Sequence, residues 1–594
     1  MESESRLVRM CIESACESRE SVGKWRLQRR TLERLPSALA DAVLRRLSAR
    51  RLLFPSLLEV FKRSAEAIDL RGENAVDAEW MAYLGAFRYL RSLNLADCHR
   101  VTSSALWALA GMSSLKELDL SRCSKVNDAG VNHIVSISSL EMLRISETGV
   151  TAEGVKLVSL LINLSVLDLG GLPVDDAALS SLQVLKNLEF LDLWGSNISN
   201  EGVDILQTFP SLSFLNLAWT SVTRLPKLLS IECINMSNCT IDSLLEGDGY
   251  KASLAKLVLS GATFANETKA FLHVDTCLLS FLDVSNSSLH GFYFLHHMTS
   301  LESLNLCSSI MGDDSIEVIA SIGANLRDLN LCKTKVTSAG LASLAGHLPK
   351  LEKLLLSHTP IDDSAISYIS IMPCLKFVDL SNTAIKGLVH GEGTETKLIP
   401  SLAALHGLDC LESLNLEHTK VSDAALEPLS ICQELRHLYL QSPSITDVSL
   451  HHLSSLSKLK RLSIRDAVLT DCGLESFSPP TTLEMLDVRG CWLLTEDAIF
   501  PFSRKHPLIE VRHEHSVASP SNQSGFNCIS PSQKSLKTLS LHHKQGKMPM
   551  SWPISQGFID QRMKYNREEL LALQCRSLSQ TPPPDKGAVI PKMQ

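Results

Sequence analysis

The sequence predicts an α/β solenoid: a horseshoe of stacked strand-and-helix units with a helical N-terminal cap and a disordered C-terminal tail. Three observations carry this. Of the 594 residues 44% are hydrophobic but only 5% aromatic, so the apolar content is aliphatic and dominated by leucine, the composition of a chain built by repetition. Leucines recur with one fixed local spacing through the middle of the chain, and the segments between them carry helical signals. Near residue 515 the rhythm stops, and Ser, Pro, Gln, Lys and Gly take over.

The spacing is L-x-x-L-x-L. It first appears at Leu90, Leu93 and Leu95, then at Leu115, Leu118 and Leu120, and last at Leu483, Leu486 and Val488. Seventeen such units can be aligned, most of them 24 or 25 residues apart. In a strand, side chains alternate, so the spaced leucines point into the solenoid while the intervening residues face the concave surface. One unit cannot bury its leucines alone, but a stack can. In 13 of the 17 units a small thiol or hydroxyl follows three residues after the third apolar position, among them Cys98, Cys123, Thr148, Thr334 and Cys491. These side chains are placed to satisfy backbone groups where the chain leaves the strand. The second half of each unit begins with a capping residue, such as Thr102 or Asn127, and continues with helical spacing, predicting a convex layer of helices.

Two steps break the period. The 19-residue step before Ile231 has no room for a helix, which predicts a local change of curvature, and the 36-residue step after Leu375 contains a polar, glycine-rich insertion over 387–396, expected as an exposed loop. The organisation read from the chain is a helical cap region over 1–64, the solenoid over 65–513, and a tail over 514–594 holding a docking helix near 565–575.

The units resemble ribonuclease-inhibitor-like and cysteine-containing leucine-rich repeats. They lack the L-x-G-x-I-P signature of plant receptor ectodomains.

Charge is unevenly spread. Residues 1–64 carry 14 Lys+Arg against 8 Asp+Glu and residues 504–594 carry 13 against 6, so under a net charge of −8 the middle stands at about −21. An acidic body repels a phosphate backbone, which argues against a primary nucleic-acid role. The N-terminus has no apolar core of a secretory signal, and no stretch is long and apolar enough for a membrane helix. Sixteen cysteines without a C-x-x-C pair fit a reduced, cytoplasmic or nuclear compartment. No nucleotide-binding, hydrolase or zinc-protease motif is found, and His513-Glu514-His515 reads as a solvated turn, so neither enzyme activity, cofactor nor metal is expected. The expected form is a monomer.

Three sets of residues are candidates for binding. On the concave face Phe190, Trp194, Phe214 and Trp219 form an aromatic group, and Arg436, Arg461, Arg465 and Arg489 a basic one. Aromatic and arginine side chains are typical contact hot spots, although aromatics can also fill gaps between repeats. In the tail, Asn566 and Glu569 are spaced as a capping box ahead of good helix formers. There Tyr565-Asn566-Arg567-Glu568-Glu569-Leu570-Leu571 is similar to Y-x-x-x-x-L-Φ, by which initiation scaffolds and 4E-binding proteins dock on the mRNA cap-binding protein, initiation factor 4E. The acidic repeat body with this tail resembles the plant, CERES-like leucine-rich-repeat partners of that factor. The resemblance implies that Tyr565 packs on the dorsal surface of initiation factor 4E, that Leu570 and Leu571 fill its apolar groove, and that Arg567 adds an ion pair. It implies a translation regulator whose solenoid brings in further initiation factors. At the other end, Leu7, Cys11 and Ala15 resemble an elongin-C-binding box, and Leu35-Pro36 with Leu39 and Val43 a cullin-binding box, while Leu35-Pro36 with Leu44 and Leu47 is similar to part of an F-box. That pattern implies recruitment to a cullin-type ubiquitin ligase. The same residues also suit a cap that shields the open edge of the first repeat.

Overall fold

The computed structural model describes residues 6–25, 34–246, 254–274, 277–390 and 398–514. Nineteen strands, from Ala67–Asp69 to Glu510–Arg512, form one parallel sheet. The register never slips: Leu93 pairs with Leu118, Leu118 with Leu143 and Leu143 with Leu167. These leucines point inward and are at most 1% exposed, each contributing about 2–3 kcal/mol of burial that a lone repeat could not collect.

Two strands lie outside the seventeen sequence matches. In the first, Ala65, Ile68 and Leu70 fill the places of the three leucines and are buried. In the last, Glu510–Arg512, Val511 packs against the core as its middle residue. A third departure is in the outer layer, where several of the expected helices are tighter 3-10 turns. Ser103–Leu109 is one, with the Thr102 hydroxyl accepting from the Ala105 N–H, whereas Asp128–Ile134 is an α-helix capped by Asn127. Strands stack every ~4.8 Å, but helix axes keep ~8–10 Å apart, so the sheet lies on the inner side of the bend.

The chain leaves each strand by the same device. The last sheet-face residue is usually Asn or Asp, whose Oδ1 accepts the N–H two residues on: Asn94 from Ala96, Asp119 from Ser121, Asp283 from Ser285 and Asn330 from Cys332, at 2.9–3.0 Å. A left-handed residue follows, such as Asp97, Arg122 or Lys333. Next comes the expected thiol or hydroxyl, which works in two ways. Thr148, Thr334 and Thr419 donate to the carbonyl three residues back in their own repeat, at 2.7 Å. Cys98, Cys123 and Cys491 reach instead to the carbonyl of the preceding repeat, Leu70, Leu95 and Ile464 respectively. Burial pushes the Cys98 and Cys123 thiols up to about 12.

Neighbouring repeats are also tied through aspartates that begin the outer helices. Asp128, Asp176, Asp313, Asp447 and Asp471 each accept both the backbone N–H and the hydroxyl of the cap residue one repeat on, Thr151, Ser199, Thr337, Thr470 and Thr495. This carboxylate clamp explains a glycine. Three residues after the cap, Gly154, Gly202, Gly340 and Gly473 leave the space in which a Cβ would stand 2.0–2.2 Å from the clamp oxygen.

The two irregular steps have distinct outcomes. No helix forms behind strand Phe214–Asn216. Arg224–Pro226 pairs there in parallel with Ser243–Glu246, and Thr240–Ile241 with Thr263–Phe264, so strands replace helices in the outer layer. The glycine-rich insertion is a hairpin at its base, where Leu388–His390 pairs antiparallel with Leu398–Pro400, and 391–397 lie outside the described residues. Asp363 anchors that base, accepting from the Lys386 and Gly387 N–H groups and the Ser401 hydroxyl at 2.7–2.9 Å.

At the N-terminal end, helix Ser37–Ala49 closes the open edge. Asp41 Oδ1 accepts the N–H groups of Glu66 (3.0 Å) and Ala67 (3.2 Å), donors that an unpaired first strand would leave bare. Burial raises the Asp41 carboxyl. Glu13 pairs with Arg46 and, at 2.6 Å, with Arg50, binding helix Arg6–Ala15 to the cap.

Candidate interaction surfaces

Each repeat offers the sheet face two side chains, on either side of its inward leucine. Across six neighbouring strands the first position reads Val166, Phe190, Phe214, Cys233, Lys256, Phe281. Phe190 and Phe214 stack face to face, with ring centroids 4.2 Å apart and planes 4° from parallel. With Cys233 and Val258 they form a hydrophobic cluster separate from the main core, against which Val166 and Phe281 pack. The second position is polar in five of these six strands, at Asp168, Asp192, Asn216, Asn235 and Asp283, and apolar at Val258. Asn216 donates to Asp192 at 3.2 Å and Asn305 to Asp283 at 2.8 Å. Burial drives the Asp192 carboxyl up to about 6, against the bonds from the Trp194 N–H and Asn216 that favour its ionised form.

Sequence reasoning expected Phe190 and Phe214 as exposed contacts. The structure puts them on the expected face but leaves each only 1% exposed, stacked on one another. Trp194 and Trp219 lie beyond the strand ends, partly buried. The Trp194 ring folds back over the previous repeat, where a Cβ on Gly171 would come within 2.9 Å of it. Trp219 occupies the left-handed exit position at φ 61°, an unusual place for a large side chain.

The basic group is matched by acids. Arg489 holds Asp487 through two nitrogens, at 2.6 and 2.9 Å, Arg465 lies 3.8 Å from Glu417, and Arg436 lies 3.7 Å from Glu412. Arg461 bonds the Tyr439 hydroxyl, whose ionisation burial suppresses. The group is therefore a paired network instead of a bare cationic face.

The N-terminal boxes separate. Leu7 is 71% exposed, and Cys11 and Ala15, one and two turns on, are exposed with it. Leu35 is half-buried against the core, Pro36 precedes helix Ser37–Ala49, and Leu44 and Leu47 are buried. The side chains that resemble a cullin box or an F-box are thus largely spent on covering the first repeat. Tyr565, Arg567, Leu570 and Leu571 lie outside the described residues.

Sequence reasoning missed the acidic and amide row on the sheet face and the aspartate clamp. The first has a local signal, L-[DN]-L in the strand. The second appears only when an Asp is compared with a Thr-x-x-Gly one repeat later. Among the described residues no group of His, Cys, Asp or Glu is arranged to hold a metal ion, and no helix is long and apolar enough to cross a membrane.

A family model described as Leucine Rich repeat matches residues 111–134, one unit of the series. No curated protein matches the sequence. Among solved structures, the chain is similar to a leucine-rich-repeat protein of Leptospira interrogans, 14% identical over 77% of this chain and 97% of that one, with a TM-score of 0.42. It is also similar to TLR13 in a complex with ssRNA13, at 19% identity over 78% and 76% of the two chains and a TM-score of 0.46. An internalin of Listeria monocytogenes is 17% identical over 71% and 92%, with a TM-score of 0.32. These likenesses concern the fold. The L-x-x-L-x-L repeat, the long parallel sheet it builds and the matched unit together show a leucine-rich-repeat solenoid fold.

Proposed function

We propose that the protein is a non-enzymatic interaction scaffold that binds initiation factor 4E through its tail and modulates translation initiation. The observation that carries this reading is the match of Tyr565, Leu570 and Leu571 to Y-x-x-x-x-L-Φ, extended by Arg567 and by the capping box Asn566/Glu569. A segment of this kind gains its helix on the partner, with the tyrosine and two leucines as anchors in apolar pockets. The solenoid would then present its sheet face to other proteins, as a rigid surface offering two side chains per repeat.

Calorimetry with purified initiation factor 4E tests the proposal. The full chain should bind with submicromolar affinity, and Tyr565→Ala/Leu570→Ala/Leu571→Ala should weaken binding by about 100-fold or more. Equal binding by the two, or none by the full chain, refutes it.

A further inference from the structure

The apolar strip on the sheet face is the feature that the repeat architecture does not explain. Core leucines account for the solenoid, yet Val166, Phe190, Phe214, Cys233 and, beyond Lys256, Phe281 place a second apolar row on the opposite side of the same strands. Toward either end the equivalent position alternates, polar and exposed at Glu117, Asp328 and Lys353 and apolar only singly, at Met142 and Phe377. Over the strip, both sheet-face positions are buried in Phe190–Asp192, Phe214–Asn216 and Cys233–Asn235. Among the described residues, the elements packed along these strands are mainly their neighbours in the sheet.

We propose that the C-terminal segment over 544–559 of this same chain lies across the sheet face, covering the strip from Val166 to Phe281. The segment reads Lys544, Lys547, Met548, Met550, Trp552, Ile554, Phe558 and Ile559 among small residues and prolines. Its two prolines, Pro549 and Pro553, favour an extended course over a helix. Extended chain advances ~3.3 Å per residue, so Trp552 and Phe558 stand ~20 Å apart. From Phe190 to Phe281 is four strand spacings, or ~19 Å. The two aromatic anchors of the segment therefore match the ends of the phenylalanine strip. Charge adds nothing to the match, because the acids just before Phe190 already face arginines, Asp119 at 4.0 Å from Arg144 and Glu147 at 3.3 Å from Arg122. Reach is sufficient. Phe190 is thirteen strand spacings from the last strand, ~62 Å along the sheet, whereas the 38 residues from Glu514 to Trp552 extend up to ~125 Å.

The test uses the full chain and reads Cys233, a member of the strip that is 2% exposed. Alkylation of each cysteine is followed by mass spectrometry in the wild type and in Trp552→Ala/Phe558→Ala. Uncovering the strip should speed Cys233 at least tenfold while Cys98 and Cys123, inside the core, stay protected. An unchanged Cys233 overturns the proposal. A second measurement guards against a variant that merely unfolds: a benzophenone amino acid replacing Trp552 should crosslink within the same chain to strands between Val166 and Phe281. Crosslinks between two copies, to other strands, or none at all overturn it. Binding of initiation factor 4E is measured separately, so this docking and the tail motif stand or fall independently.

Discussion

Gly340→Ala tests the inter-repeat clamp, because helix propensity and packing predict opposite signs. Gly340 is inside helix Ser338–Leu344, where alanine is worth about 1 kcal/mol over glycine. A Cβ at that position, however, would stand 2.2 Å from Oδ1 of Asp313 and 3.0 Å from its Cγ, so the carboxylate must swing out. It would then release the Thr337 N–H, now at 2.8 Å, and the Thr337 hydroxyl, at 2.6 Å. Hydrogen bonds to a charged acceptor are worth about 1.5–3 kcal/mol each, and partial exposure of Asp313 brings the pair to about 2–3 kcal/mol. The net expectation is a loss of about 1–2 kcal/mol, or about 5- to 30-fold faster exchange of the amides over 338–344 by hydrogen–deuterium exchange of the full chain. The decisive step is to repeat the substitution in Asp313→Ala. With the carboxylate gone, the nearest remaining atom is Val336 Cγ1 at 3.2 Å, and Gly340→Ala should turn neutral or stabilising. The same change in both backgrounds would refute the clamp.

Two further expectations follow from carboxylates that partial or full burial perturbs. Asp41→Ala removes the acceptor of the Glu66 and Ala67 N–H groups, so it should cost about 1–3 kcal/mol and expose the first two strands to exchange while the distal repeats stay protected; uniform loss along the solenoid would contradict the edge-capping role. Asp192 titrates at about 6 in the fold against 3.8 for the free side chain. The folded state thus holds its proton more tightly, and ionisation of Asp192 weakens the fold as pH rises from about 4 through 6. Asp192→Asn should therefore raise the melting temperature relative to wild type at pH 7.5 and lose that advantage near pH 4, and a constant difference across this range would show that Asp192 is not the titrating group.

The regular part of the fold was legible because one leucine spacing does two jobs: it sets the strand and it fills the core. The thiol and hydroxyl positions were legible for the same reason, since each lies at a fixed offset from a leucine. What distinguishes Cys98, bonded to the preceding repeat, from Thr148, bonded to its own, is side-chain reach in the folded stack, and spacing alone does not encode it. The first strand escaped notice because Ala65 takes a leucine's place. The clamp escaped because its partners are 23 or 24 residues apart. For the binding residues, Phe190 and Phe214 were placed on the right face, but their exposure depends on neighbours one repeat away. The N-terminal leucines illustrate the same limit: Leu7 and Leu47 look alike in a motif, yet one is 71% exposed and the other fully buried.

The position of the apolar strip along the solenoid has its own logic. Curvature arises because helices on the outside need more room than strands on the inside. Behind Phe214 and Cys233 the outer layer is itself made of paired strands, Arg224–Pro226 with Ser243–Glu246 and Thr240–Ile241 with Thr263–Phe264. There both layers advance by ~4.8 Å per repeat, so the spacing mismatch that bends a helix-backed stretch is smaller. A less bent stretch is where an extended peptide can touch several successive strands without bridging a hollow. Apolar residues also take this position singly elsewhere, at Met142 and Phe377, but the separate apolar cluster forms around Phe190, Phe214 and Cys233, at and beside the strand-backed repeats. The shortened step in the repeat and the phenylalanines on its sheet face are then two parts of one feature, an apolar landing site set into a sheet face that is elsewhere mostly polar and charge-paired.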